Sequence, residues 1–388
     1  MNFKTASIKA ISVAALLAAM VSGTAAADLP ITKAPPRIPD SGSLFWAEID
    51  YLAWTVKGDR PPPLVTTSPA GTPLPQAGVL GLPTTSVLFG DSSVNGGWRS
   101  GGRLQAGYWF DPQHSRGIEA SFFDLQDAST GFATDSSAHP ILARPFVNAL
   151  TNQPSASLVG FPGLVSGSVA VNESSRLLGF DAHYRQELGM WSGQRISALI
   201  GYRYLRSSDK LSIPEATNSI LFGPIGSIDA FNATSNFHGV DLGVAGEWRR
   251  GPWTLEWRGT LALGANFNSA EINGMTTANF FGGGATPLPG GLLALSSNIG
   301  NFSQTRFSIV PEMALKAGYQ VAPQWRVVAG YDLLYWTDVQ RAGGLIDTTI
   351  NPLLIPQPTP GGPLRPMPVF NTSPLLAQGF NVGVRYNY

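Results

Sequence analysis

From residue 378 to the end the chain alternates without a break. Phe380, Val382, Val384, Tyr386 and Tyr388 take every second position, and Gly379, Asn381, Gly383, Arg385 and Asn387 fill the others. Side chains on a strand point to opposite faces in turn, so this segment reads as a strand with one aromatic, apolar face and one polar face. Its length is that of a tilted strand crossing a bilayer, about 9–11 residues. The same pattern predicts ten strands, over 44–54, 98–110, 118–126, 175–187, 195–205, 237–249, 253–266, 304–320, 325–336 and 378–388. In each, the apolar face is nearly free of charge: Leu104, Ala106, Tyr108 and Phe110 stand against Arg103 and Gln105, and Trp253, Leu255 and Trp257 against Thr254, Glu256 and Arg258.

The connections alternate between short and long. Short ones carry turn residues, such as Asp111-Pro112-Gln113-His114, Arg250-Gly251-Pro252 and Val321-Ala322-Pro323-Gln324. Long ones, over 55–97, 127–174, 206–236, 267–303 and 337–377, are rich in Pro, Gly, Ser, Thr and Asn. An even number of amphipathic strands with short turns at one end and long loops at the other predicts an all-β fold: a single transmembrane antiparallel up-and-down β-barrel. Ten strands are expected, and twelve remain open if a further hairpin lies within 127–174. Aromatic residues sort to the two ends, with Tyr108, Phe110, Tyr184, Trp248, Trp253, Tyr319, Trp325, Tyr386 and Tyr388 near the short turns. Tyr51, Phe122, Tyr202, Tyr204, Phe307, Tyr335 and Phe380 lie near the long loops. Two such girdles fit two membrane interfaces.

Composition narrows the class. Only 13% of the 388 residues are charged, 25 basic against 25 acidic, where a helix-rich soluble enzyme carries about 25%. No apolar run after the N-terminus reaches the ~18 residues of a membrane helix. There is no Cys, which removes thiol nucleophiles and thiolate metal sites, and the neutral balance gives nucleic acid no reason to bind. Residues 1–27 read as an export signal, with Lys4 and Lys9, an apolar run over 11–21, and Ala25 and Ala27 at the cut. Residues 28–43, with Pro30, Pro35, Pro36 and Pro39, form a Pro-rich tail, and the barrel occupies 44–388.

Phe45-Trp46-Ala47-Glu48-Ile49-Asp50-Tyr51-Leu52-Ala53-Trp54 resembles the opening strand of the outer-membrane beta-barrel porin-7 family. Arg176-Leu177-Leu178-Gly179-Phe180-Asp181 and Gly201-Tyr202-Arg203-Tyr204 are similar to its later strands. The resemblance implies a barrel of the bacterial outer membrane, called a porin by name, and carries over no substrate or catalytic residue. The terminal strand likewise resembles the signal by which such barrels are recognised for assembly, so Phe380, Val382, Val384, Tyr386 and Tyr388 imply the barrel-assembly machinery as a partner, beside outer-membrane lipid.

The inward faces carry Glu48, Asp50, Arg99, Arg103, Glu119, Asp181, His183, Arg185, Arg195, Arg203, Asp241, Glu247, Glu256, Arg258, Arg306, Glu312, Lys316, Arg326, Asp332 and Arg385. A ten-stranded lumen is narrow. These charges must therefore pair or meet water. If water threads between them, the barrel is a small diffusion pore for ions or polar solutes; if the pairs close, it is a plugged scaffold acting through its loops. Val79-Leu80 and Leu292-Leu293 have reason to fold over the mouth. No enzyme, cofactor or metal is expected: His114, His139, His183 and His238 lack ligand spacing, and Gly282-Gly283-Gly284 has no following Lys. His183 beside Asp181 reads as part of a lumen network, and His238 as a headgroup-level residue on the lipid face. The solute and the oligomeric state are not written in the sequence.

Overall fold

A strand with one apolar and one polar face satisfies both when its sheet closes into a ring, which also leaves no unpaired edge in lipid. The computed structural model describes residues 43–278, 286–355, 359 and 361–388. The expected signal, the tail up to residue 42, Gly282-Gly283-Gly284 and the loop prolines Pro356 and Pro358 lie outside them.

The described residues hold β1 (Phe45–Val56), β2 (Val65–Ser68), β3 (Ser86–Phe89), β4 (Gly97–Trp109), β5 (Arg116–Asp135), β6 (Ile141–Asn148), β7 (Gln153–Gly160) and β8 (Val165–Trp191). They continue with β9 (Gln194–Ser219), β10 (Gly223–Arg250), β11 (Trp253–Ala278), β12 (Thr286–Pro289), β13 (Gly300–Ala322), β14 (Trp325–Gln340), β15 (Thr349–Ile350) and β16 (Thr372–Asn387). Ten of them form the wall, in the order β1, β4, β5, β8, β9, β10, β11, β13, β14, β16, and β16 returns to pair antiparallel with β1. All ten expected strands are present. The ring closes on the terminal strand, with Ile49 opposite Val384 and Tyr51 opposite Val382.

Turn chemistry sets the short end. Ser192 and Gly193 both have positive φ, 49° and 76°, the backbone of a tight I′ hairpin whose twist suits the flanking strands. Between β4 and β5, the Asp111 carboxylate accepts from the Ser115 amide at 2.9 Å and its hydroxyl at 2.8 Å, which holds that carboxyl below its ordinary range.

Outward side chains in the lower wall are apolar and exposed, among them Ile49, Leu104, Ile118, Ile200, Val240, Leu261 and Leu315. The aromatic girdles bound them, with Trp253 packed edge-on against Tyr319 at 4.9 Å on one side and Tyr331 against Phe380 at 5.2 Å toward the other.

Above the long-loop girdle the strands continue, and the expected loop 206–236 is corrected. It is the prolongation of β9 and β10, paired as far as Gly223 with Ser219. There the pattern changes phase. On β9, Ile200, Tyr202 and Tyr204 face out while Arg203 faces in; beyond them Arg206, Ser208 and Lys210 face out while Leu205, Leu211 and Ile213 face in. Where lipid gives way to water, the apolar side must move to the interior.

The tall part of the wall comprises β5, β8, β9, β10, β11 and β13. Against its inner face lies a second sheet, ordered β15-β6-β2-β3 with β7 on β6, built from three long loops. The twelve-stranded alternative is corrected here: 127–174 does hold a hairpin, β6 and β7, but it joins this inner sheet. Its strand β6 is buried from Ile141 to Phe146 and has no lipid-facing surface to offer there.

Candidate functional site

The lumen is filled in three layers. Nearest the short turns, inward positions on ten strands bring charged side chains together in two clusters. In the first, Arg103 bonds Asp50 at 2.8 Å and approaches Asp332 at 3.2 Å, and Lys316 reaches Glu48 and, at 3.1 Å, Asp50. Arg385 clamps Glu256 through two bonds of 2.6 and 2.9 Å while its Nε donates to Glu48 at 2.6 Å, and Arg326 lies 3.3 Å from Glu256. Four cations meet four carboxylates.

In the second cluster Arg203 bonds Asp241 at 2.7 Å and also Glu312, Arg258 bonds Glu119, and Arg185 lies 3.6 Å from Glu119. His183 Nε2 is 3.0 Å from Asp241, and its Nδ1 lies 3.2 Å from Asp181 without hydrogen-bond alignment. Three arginines and one histidine thus face four carboxylates. Unpaired charges at this depth would cost several kcal/mol each, so near-complete pairing is what a narrow lumen demands. Two rings that sequence reasoning did not assign to the lumen help: Arg385 lies 4.9 Å over Trp46, and Arg185 5.3 Å over Trp109. Between these side chains lies a cavity of about 80 Å³ at the short-turn end, bordered by Trp109, Glu119, Arg258, Lys316 and Arg385.

All nineteen charged residues assigned to the lumen besides Glu247 face inward, but three stand apart from these clusters. Arg195 lies at the short-turn rim, 3.9 Å from Glu187; Glu247 is there too, paired with Arg249. Arg306, half-exposed, lies 3.7 Å from Asp338 at the opposite end. Arg99 donates to the carbonyls of Ser175 and Asn95 at 3.1 and 2.8 Å, in the upper half.

The second layer is apolar. Leu52, Trp54, Val56, Phe123, Leu125, Leu177, Leu205, Phe237, Ala262, Val310, Leu334, Trp336, Val339, Leu375 and Ala377 are buried together across the interior. Trp54 packs on Phe123 at 5.2 Å, and Trp336 donates its indole N–H to Asn266 at 2.9 Å. Water in an apolar constriction of this kind has no partners and withdraws.

The third layer is the inner sheet and its core. Leu142 and Phe146 of β6 meet Val169, Val171, Leu211, Ile213, Phe231 and Ile272 of the wall, with Leu292 and Leu293 completing the core as expected, while Val79 and Leu80 stay half-exposed. Polar anchors cross this core. Arg144 of β6, fully buried, bonds Asp229 at 2.6 Å and Glu215 at 3.2 Å. The other Asp229 oxygen accepts from the amides of Leu292, Leu293 and Ala294 at 2.9–3.1 Å, an approach that a side chain at Gly291 would block.

Beyond β14 the chain turns inward, and Arg341 pairs with Asp209 while the Gly343 amide donates to Asp59 at 2.6 Å. Glu173 is buried beside them, three residues beyond Arg176, an exposed outward charge that lies past the lipid zone. Burial first, then the charges of Asp59 and Asp209, push the Glu173 carboxyl up to about 8. Sequence reasoning missed Arg144, Glu173, Asp209, Glu215, Asp229 and Arg341 because they lie in segments read as loops. The signal was the phase change along β8, β9 and β10.

Comparison with known proteins places this arrangement among barrels. The model of a family described as beta barrel porin-7 (BBP7) matches residues 46–388. No curated protein matches the chain in sequence. Among solved structures, the outer membrane protease OmpT from Escherichia coli is 11% identical with a TM-score of 0.43, over 90% of this chain and 98% of that one. A Pseudomonas aeruginosa FadL homologue is 8% identical with a TM-score of 0.21, over 89% and 90%. An anion-selective porin from Comamonas acidovorans is 8% identical with a TM-score of 0.14, over 89% and 98%. At these scores no activity is carried from those proteins to this chain.

Proposed function

The chain belongs to the beta barrel porin-7 family, and we propose that within the outer membrane it is a closed barrel, a scaffold that holds a folded external sheet rather than a standing diffusion pore. The observation that carries this reading is the apolar layer around Trp54, Phe123, Phe237 and Trp336, a single buried cluster to which nine of the ten wall strands contribute. A hydrated ion would have to shed its water to pass there, and nothing apolar replaces that hydration. The lumen charges then serve to hold the wall in one register, each cation bridging strands far apart in the chain, as Lys316 does to Glu48. The same enclosure argues against catalysis by His183, which lies buried between two carboxylates. The lipid-facing rings of Phe380 and Tyr388 fit the recognition of the last strand by the assembly machinery.

Single-channel recording in planar bilayers tests the reading. Folded wild-type protein is expected to stay silent, and a Trp54→Ala, Trp336→Ala double variant to give conductance steps. Stable wild-type steps whose ion selectivity shifts in Arg103→Glu would overturn it and establish the diffusion pore that the family's description implies.

A further inference from the structure

One sector of the outer wall carries chemistry that neither the lumen nor the inner sheet uses. On β9, Tyr202 and Tyr204 face lipid at the long-loop girdle, and the next outward positions are Arg206, Ser208 and Lys210. Arg206 stands between Leu178 of β8 and Asn236 of β10, and Lys210 between Ser174 and Asn232. Both cations are exposed, and neither has an ion-pair partner among the described residues.

Below them the aromatics form a fixed platform. The Tyr202 hydroxyl lies 2.6 Å from His238 Nδ1, and Tyr204 donates to Asn236 Oδ1 at 2.9 Å. The Tyr204 and Phe267 rings pack on His238 at 5.0 and 5.6 Å. Further down, Ile200, Val240, Leu242 and Leu263 offer a continuous apolar bed.

We propose that this sector binds one phosphorylated glycolipid of the outer leaflet. The order of the chemistry fits such a molecule end to end. Acyl chains meet the apolar bed, the headgroup meets the tyrosines and His238, and phosphate meets Arg206, whose Cα lies roughly 7 Å beyond that of Tyr204 at ~3.3 Å per residue. Lys210 lies about 13 Å further along the strand by the same rise, a reach that calls for a sugar headgroup bearing a second anion rather than a simple phospholipid. Ser208, Thr234 and Asn236 supply hydroxyl and amide partners for sugar between the two cations.

The acids nearby are already engaged. Glu271 accepts from Asn232 and Asn273 at 3.1 and 2.8 Å, and Asp124 is held by Arg176 at 2.6 Å. They narrow the site to the strip between them without neutralising its two free cations.

The test uses the full chain folded in detergent, incubated with a diphosphorylated, acylated glucosamine disaccharide and examined by native mass spectrometry. Its dephosphorylated counterpart and phosphatidylglycerol serve as rivals. Wild type is expected to retain one diphosphorylated lipid, and Arg206→Ala with Lys210→Ala to reduce retention at least tenfold. Lys57→Ala, which removes an exposed cation four wall strands away, should leave retention unchanged. Heat-shifted gel migration establishes that each variant is folded. Equal retention by the double variant, equal retention of the dephosphorylated or phosphatidylglycerol lipid, or full displacement by millimolar inorganic phosphate would each overturn the proposal.

Discussion

The lower and upper halves of this wall are built from the same strands, whose outward side is apolar in the one and polar in the other. In the lower half lipid touches Ile200, Val240 and Leu315, and the interior holds Arg103, Asp50, Lys316 and Glu48. In the upper half water touches Arg206, Ser208 and Lys210, and the interior holds Leu211, Ile213 and Phe231. The lower half gains little net stability from its paired charges, since desolvation offsets most of their attraction, and relies on lipid and the closed ladder. The upper half is stabilised like a soluble sandwich, at about 1.5–3 kcal/mol per buried aliphatic or aromatic side chain. What this teaches is that the height of the membrane is written in the chain as the point where the alternation slips by one residue.

The sharpest way to break the comparison is Arg144→Ala, which strips the buried Asp229 and the part-buried Glu215 of their partner at a cost of roughly 3–5 kcal/mol to the upper half alone. Protease added to outward-facing liposomes should then cut within 136–164 while the heat-shifted gel migration of the barrel persists. Continued protection would mean that the inner sheet does not depend on this anchor.

Trp336→Ala comes next, at roughly 3–4 kcal/mol, because it empties the apolar layer and leaves Asn266 without its donor. Its readout is the denaturant midpoint of the upper half, followed by loss of protection of 136–164. A midpoint equal to wild type would mean that the layer is not continuous with the core above it.

A smaller effect is expected from pH. Released to solvent, Glu173 loses its proton near its ordinary value of 4.5; packed beside Asp59 and Asp209 it holds the proton to about 8. Between those values the released form binds fewer protons, so attachment of the inner sheet weakens as pH rises and is strongest below about 4.5. Burial likewise raises the Asp209 carboxyl, which adds the same sign, while Arg341 and Arg99 pull against it. Protease protection should fall from pH 5 to pH 8.5 in wild type and change less in Glu173→Gln; an identical slope in both would remove Glu173 from the account. The smallest effect belongs to Arg176→Ala, which breaks an exposed pair with Asp124 and should shift the unfolding midpoint by less than about 1 kcal/mol equivalent.

The ten crossing strands were legible because lipid imposes a strict rule on them. Every second residue of β9 and β11 must be apolar where hydrocarbon touches it, and 253–266 or 195–205 have no other good reading. The lumen residues followed from the same parity, and sixteen of them do meet in two clusters. Their partners were not legible, since which of Glu48, Asp50 or Glu256 reaches Arg385 depends on strand tilt and stagger, which the pattern of one strand does not contain. The inner sheet was hidden for another reason. Leu142, Val159 and Ile350 lie in short strands of 2–8 residues separated by Pro and Gly, too brief to show a period, and their burial comes from the wall of other strands. The prolongation of β9 and β10 was readable in principle: Leu211 and Ile213 continue the alternation begun at Arg203, with the apolar residues now on the odd positions.

The inner sheet draws β2 and β3 from the segment after β1, and β15 from the segment before β16, yet all three depend on β6, which comes from the middle of the wall. Strands β1 and β16 are also the two that meet to close the ring. The chain leaving β1 and the chain entering β16 thus converge twice, once at the seam that closes the ring and again on β6, so the cap ties together above the membrane the same two stretches that the seam joins within it.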